Sequence, residues 1–150
     1  MLAAHWKNEE APLFNGLNSL ACSSGKIFSF EHNRLVSLAA SDDCEWVSVG
    51  VLATRNLYGG EYVVKCGEAF AHGSVGIIVL ESLASGEPIW SFASSETNPF
   101  DQIEIKGSRV LVLSTSGAVL RFRPPLKDVA FLRPGIAFNL DDVTVGSLGR

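Results

Sequence analysis

Across its 150 residues the chain nowhere sustains a long helical period; what recurs is a short apolar run closed by a turn-forming cluster. The runs "KIFSF", "RLVSLAA", "EWVSVGVL", "EYVVKC", "VGIIVL", "PIWSFA", "DQIEI", "RVLVLS" and "AVLRF" are rich in Val, Ile and Phe, with Gly, Ser, Asn and Asp between them. Runs of this length and composition, bounded in this way, form strands. Strands are expected near 26–30, 34–40, 46–53, 61–66, 75–81, 88–93, 101–105, 109–114 and 118–123, with a further one at 142–145. The best helical stretch is 8–21, although it holds Pro12 and Gly16, which weaken any helix interior.

The turns indicate how the strands connect. Glu31, His32 and Asn33 separate two runs, and Asn tolerates the left-handed backbone of a tight hairpin. Thr115, Ser116 and Gly117 do the same further on, with Gly117 free to take a positive φ. Strands joined in sequence by short turns make an antiparallel meander. "RPP" at 123–125 ends its strand, because proline donates no ladder hydrogen bond. The expected fold is all-β, with antiparallel meander sheets forming a propeller-like partial stack or a compact β-sandwich. A chain of this length buries roughly 70% of its extended surface, so 1–150 is expected to be a single all-β domain. Its N-terminal segment 1–24 is expected to be irregular or helical, and 124–150 to be a loosely packed tail.

The stretch "GIIVLESLASGEPIWSF" (76–92) resembles the repeat of pyrroloquinoline-quinone-type β-propellers, in which a strand passes through a Thr/Ser-Gly turn into a strand bearing tryptophan. Ser85 and Gly86 stand at the turn and Trp90 at the tryptophan. "GSRVLVLSTSGAVLRF" (107–122) is similar to the next strand, turn and strand of such a repeat, and "GKIFSFEHNRLVSL" is a fainter third echo. The resemblance implies blade-like antiparallel hairpins and a buried Trp90. It does not imply a closed ring: blades of about 40 residues would number fewer than four here, and closed propellers typically use four to eight. Neither the quinone cofactor nor the family's metal site carries over to any residue.

Composition narrows the function. Hydrophobic residues at 47% against 19% charged exclude a disordered chain and leave a lightly charged surface suited to a partner. The net charge of −4 disfavours nucleic acid, whose ligands normally present a basic field. The basic residues gather in 106–133, where Lys106, Arg109, Arg121, Arg123, Lys127 and Arg133 face one acid, Asp128. Arg121 and Arg123 would share a strand face and could touch phosphates, as any half-exposed strand could. Cys22, Cys44 and Cys66 are odd in number and form no close pair, so reduced thiols are expected rather than a disulfide framework or a thiolate metal site. "MLAAHWKNEEAPLF" lacks a charged start followed by an apolar leader, and no run reaches the roughly 20 residues of a membrane span. A cytoplasmic protein with no membrane association is expected.

The sequence holds few groups arranged for chemistry. His72 in "EAFAHGSVG", near Cys66 and Glu68, is the one arrangement suggesting a nucleophile and base, and no G-x-S-x-G elbow accompanies it. No metal-ligand spacing occurs beyond Asp42 and Asp43 in "SDDCEW". Gly59 and Gly60 enter a strand, not a helix, and so form a hairpin turn displaying Tyr58 instead of a phosphate cradle. Asn98-Pro99-Phe100 resembles an adaptor-binding tripeptide but reads as a turn running into a strand. No catalytic residue, metal or cofactor is therefore expected. The expected function is non-catalytic protein binding, most concretely an immunity or inhibitor protein occluding a basic bacterial toxin or nuclease. Asp42, Asp43, Glu45, Trp46 and Tyr58 are the candidate partner-binding residues, because they combine acids with interface-forming aromatics. The alternative is a scaffold module that self-associates into a homo-oligomer or completes a larger β-assembly through its open edges.

Overall fold

A computed structural model describes residues 2–14, 18–31, 34–38, 44–70 and 72–133. A short helix, α1 (Leu2–Trp6), is followed by twelve strands among the described residues. The first six are β1 (Glu10–Phe14), β2 (Ser19–Cys22), β3 (Ile27–Glu31), β4 (Arg34–Leu38), β5 (Cys44–Asn56) and β6 (Tyr62–Ala69). They are followed by β7 (His72–Ser82), β8 (Pro88–Ser94), β9 (Phe100–Lys106), β10 (Arg109–Ser114), β11 (Val119–Arg123) and β12 (Lys127–Leu132). Eight strands form one antiparallel sheet in the order β1-β5-β6-β7-β8-β2-β3-β4, and the other four form a meander, β12-β11-β10-β9. The all-β antiparallel expectation is met, and among the described residues no closed barrel forms.

Alternation along the strands explains why the two sheets pack. In β7, Ile78 and Leu80 point to one side and Ile77 and Val79 to the other, all at most 1% exposed, as a continuous apolar run requires when both faces are covered. Ile78 and Leu80 join Val64, Trp90 and Phe92 in a core shared with Val112, Leu120 and Phe122 of the small sheet. Trp90 meets Phe122 edge-on at a ring separation of 5.0 Å, and Phe92 meets Phe131 at 5.1 Å, geometries that aromatic quadrupoles favour. The two hairpins that carry the repeat-like sequences, β7–β8 and β10–β11, thus face each other across this core. Gly86 and Gly117 take positive φ, 72° and 91°, in their connections.

A second core lies on the opposite face of the large sheet. β1 pairs with β5 and also packs against β8, so the sheet curls around Ala11, Val47, Val49, Ile77 and Val79, with Trp6 of α1 among them. The curl depends on a bulge in β5 between Val51 and Ala53 and on the absence of a side chain at Gly67, where a Cβ would lie 1.8 Å from the Gly50 carbonyl oxygen. α1 is fastened there as well. The Trp6 indole N–H donates to Glu81 Oε2 at 2.5 Å, and Lys65 Nζ lies 3.1 Å from the same oxygen.

Two expectations need correction. The stretch 8–21 is not helical: it supplies β1 and β2. Pro12 is tolerated because β1 is the edge strand of its sheet, and Ala11 and Leu13 turn inward by strand alternation. The helix stands earlier, at Leu2–Trp6. The tail does not begin loosely at 124, because β12 pairs with β11 and buries Ala130, Phe131 and Leu132. "RPP" does end β11, but the chain then turns back into the sheet. The expected strand at 142–145 lies outside the described residues. Among the described residues no helix is long and apolar enough to cross a membrane.

Candidate protein-binding surface

β5 is the longest described strand and serves two partners in succession. Its first half, 44–48, pairs with β1, and from Val49 onward it pairs with β6. Val47 and Val49 point into the second core, so alternation sends Trp46, Ser48 and Gly50 to the opposite face. Register adds Glu10, opposite Ser48, and Glu68, opposite Gly50, to that face.

The strip carries two anchored rings. The Trp46 indole stacks on the His5 imidazole at a centroid separation of 3.6 Å and an interplanar angle of 6°. His5 Nδ1 in turn lies 3.0 Å from Glu10 Oε1, which fixes the imidazole and through it the indole. Farther along, the Phe70 amide donates to the Ser48 carbonyl, and the Phe70 ring lies over Gly50. A Cβ at position 50 would sit 2.9 Å from that ring. Phe70 is nevertheless 71% exposed, and Leu52, at the bulge, 53% exposed. Between them runs an open groove of about 530 Å³ whose lining includes Ser48, Gly50, Leu52 and Phe70, with Glu9 and Glu68 as its charged members. Among the described residues neither Glu9 nor Glu68 makes an ion pair. The groove therefore has an apolar centre and an acidic rim.

The expected contact residues fall in different places. Trp46 is half-buried on the strip just described, whereas Glu45, exposed at the start of β5, falls by alternation on the opposite face, with Leu13 and Val47. Asp42 and Asp43 lie outside the described residues. Tyr58 opens a 3-10 turn, Tyr58–Gly60, beyond the far end of β5, so it does not join Glu45 and Trp46. Phe70 and Leu52 escaped sequence reasoning. "EAFAHG" reads as a turn, and the only available signal was a large aromatic in a turn with no apolar neighbour at strand spacing.

The arrangement around His72 does not assemble. Cys66 opposes Ile78 and is 1% exposed within the first core, whereas His72 opposes Ala69 at the turn, about 10 Å farther along the strand at strand spacing. Burial, then the Asp101 charge, pushes the Cys66 thiol up to about 12, against the lowering effect of a backbone hydrogen bond at Ala53. Such a thiol is a core group and a poor nucleophile. Among the described residues no three His, Cys, Asp or Glu side chains converge as a metal site. Comparison with protein families, curated proteins and solved structures finds no match to this chain.

Proposed function

We propose that the protein acts in the cytoplasm by binding another protein through the β5 strip, without catalysing a reaction of its own. The observation that carries this reading is the exposed pair Phe70 and Leu52 flanking a groove rimmed by Glu9 and Glu68. Large apolar side chains grouped at a polar rim mark interaction surfaces, and aromatic anchors concentrate binding energy. The acidic rim selects a partner presenting Lys or Arg around an apolar knob, since complementary charge raises the association rate and fixes orientation. The most concrete form of this activity is an immunity or inhibitor protein that occludes a basic toxin or nuclease.

The test compares tagged wild-type protein with a Leu52→Ser/Phe70→Ser double variant as bait in lysate of the source cells. Both side chains are exposed, so the variant is expected to fold normally by circular dichroism. One stoichiometric basic protein should be retained by the wild type and lost with the variant. Recovery of the same proteins by both baits would refute the assignment. A second reading, self-association as a scaffold, rests on β4, which ends the large sheet. An open edge offers unpaired backbone groups to another strand. Light scattering coupled to size exclusion separates the two, because the scaffold reading requires a mass above that of one chain.

A further inference from the structure

The opposite end of β5 carries a different feature. Three connections converge there: the 3-10 turn with Leu57 before it, the β9–β10 turn at Gly107 and Ser108, and the β11–β12 turn at Pro124. Between them a cleft of about 430 Å³ opens between the two sheets. Its floor is apolar, formed by Leu57 and Val110, 5% and 2% exposed, with Ile105 beside them. Tyr62, Glu61, Arg123 and Lys127 stand around it. An apolar floor with a few convergent polar groups, at this volume, is the usual form of a small-molecule site.

The polar groups are unequal. Arg123 Nε lies 3.2 Å from Asp128 Oδ2, an ion pair that partly neutralises the guanidinium. Lys127 is exposed and makes no ion pair among the described residues, and Lys106, also exposed, adjoins the lining residue Gly107. Glu61 is the single carboxylate of the lining. The mouth is therefore basic, with Lys127 the cation most open to a ligand. The walls are held in place beforehand. The Trp90 indole N–H donates to the Pro125 carbonyl at 2.6 Å, pinning the β11–β12 turn to the core, and the Gly60 amide donates to the Leu57 carbonyl at 3.1 Å. Walls fixed before binding reduce the ordering cost of a ligand.

We propose that this cleft binds a small aromatic carboxylate, with the flat body on Leu57, Ile105 and Val110 beside the Tyr62 ring and the carboxylate at Lys127, supported by Arg123. The reading is independent of the β5 strip, which lies at the other end of the strand. The test is an amide-resolved NMR titration with 2-naphthoate, repeated with uncharged 2-naphthamide. Saturable shifts should centre on Gly59, Gly107 and Ser108, and naphthamide should bind about tenfold more weakly, the scale of one charge-assisted hydrogen bond. Lys127→Ala, at an exposed position, should lower naphthoate affinity by a similar factor while leaving the spectrum otherwise folded. Absence of saturable shifts at these amides, shifts centred on the Phe70 groove, equal binding of naphthamide, or an unaffected Lys127→Ala variant would each overturn the proposal.

Discussion

Trp90 shows how one side chain ties the molecule together. It is fully buried, meets Phe122 across the sheets and donates to the Pro125 carbonyl, so it links β8 to β11 and to the turn after it. Trp90→Ala should destabilise the protein by about 3–5 kcal/mol in urea unfolding, the range for removing a buried aromatic. Trp90→Phe should cost less, because it keeps a ring against Phe122 and loses chiefly the hydrogen bond. At Gly67 the constraint is the lack of an atom. Gly67→Ala places a methyl against the Gly50 carbonyl, which is backbone and cannot rotate away, and should cost roughly 1–3 kcal/mol or more by the same measurement. Cys66 sets a pH dependence. Its thiol holds its proton up to about 12 when folded, against an ordinary value of 9.0, so between these pH values the folded state binds the extra proton. Stability from this group is therefore intact below pH 9 and falls as pH rises toward 12, by at most about 1.4 kcal/mol per pH unit. Unfolding of Cys66→Ala over the same interval should lack this slope; an identical slope in both proteins would contradict the assignment.

At the scale of elements, the latch between α1 and the large sheet is the contact most exposed to test. Glu81 is 6% exposed and is shared by the Trp6 indole and Lys65. Glu81→Ala leaves both donors without that partner and should cost about 2–3 kcal/mol, whereas Glu81→Gln, which keeps an acceptor, should cost less. Hydrogen exchange should show the loss first at the backbone amides of 3–9 and later in β7. Most central elements were legible in the sequence because they carry a strong local signal: "VGIIVL" and "RVLVLS" admit little besides buried strands. The elements misread are those whose signal is non-local. β1 contains a proline that only an edge position makes acceptable. β2 is four residues, "SLAC", of ordinary strand propensity, and is a strand because β8 and β3 flank it. β12 follows two prolines that end the preceding strand, and its pairing depends on a turn that returns the chain to β11. Of the candidate strip, Trp46 was legible as an aromatic beside acids. The placement of Phe70 over Gly50 depends on the pairing of β5 with β6, which one-dimensional spacing does not contain.

Over the whole molecule, charge is divided between the two sheets. The small sheet and its turns hold the basic segment 106–133, while the groove on the large sheet has the acids Glu9 and Glu68. On the proposed reading, a basic partner would be drawn toward the β5 strip and away from the other end. Once the partner is in hand, Glu9→Gln/Glu68→Gln should act mainly on association, lowering its rate and its salt dependence, while Phe70→Ser should act mainly on dissociation, because the ring supplies contact and not steering. Surface-plasmon measurement of both rates distinguishes the two effects; a charge variant that changed only dissociation would argue against steering. The most direct measurement is photocrosslinking in living cells, with a benzophenone amino acid at position 70 in one strain and at position 37, an exposed site on β4, in another. A single adduct to a basic protein from position 70, and none from position 37, is the expected result. No adduct from position 70, or the same adduct from both positions, would contradict binding through the β5 strip.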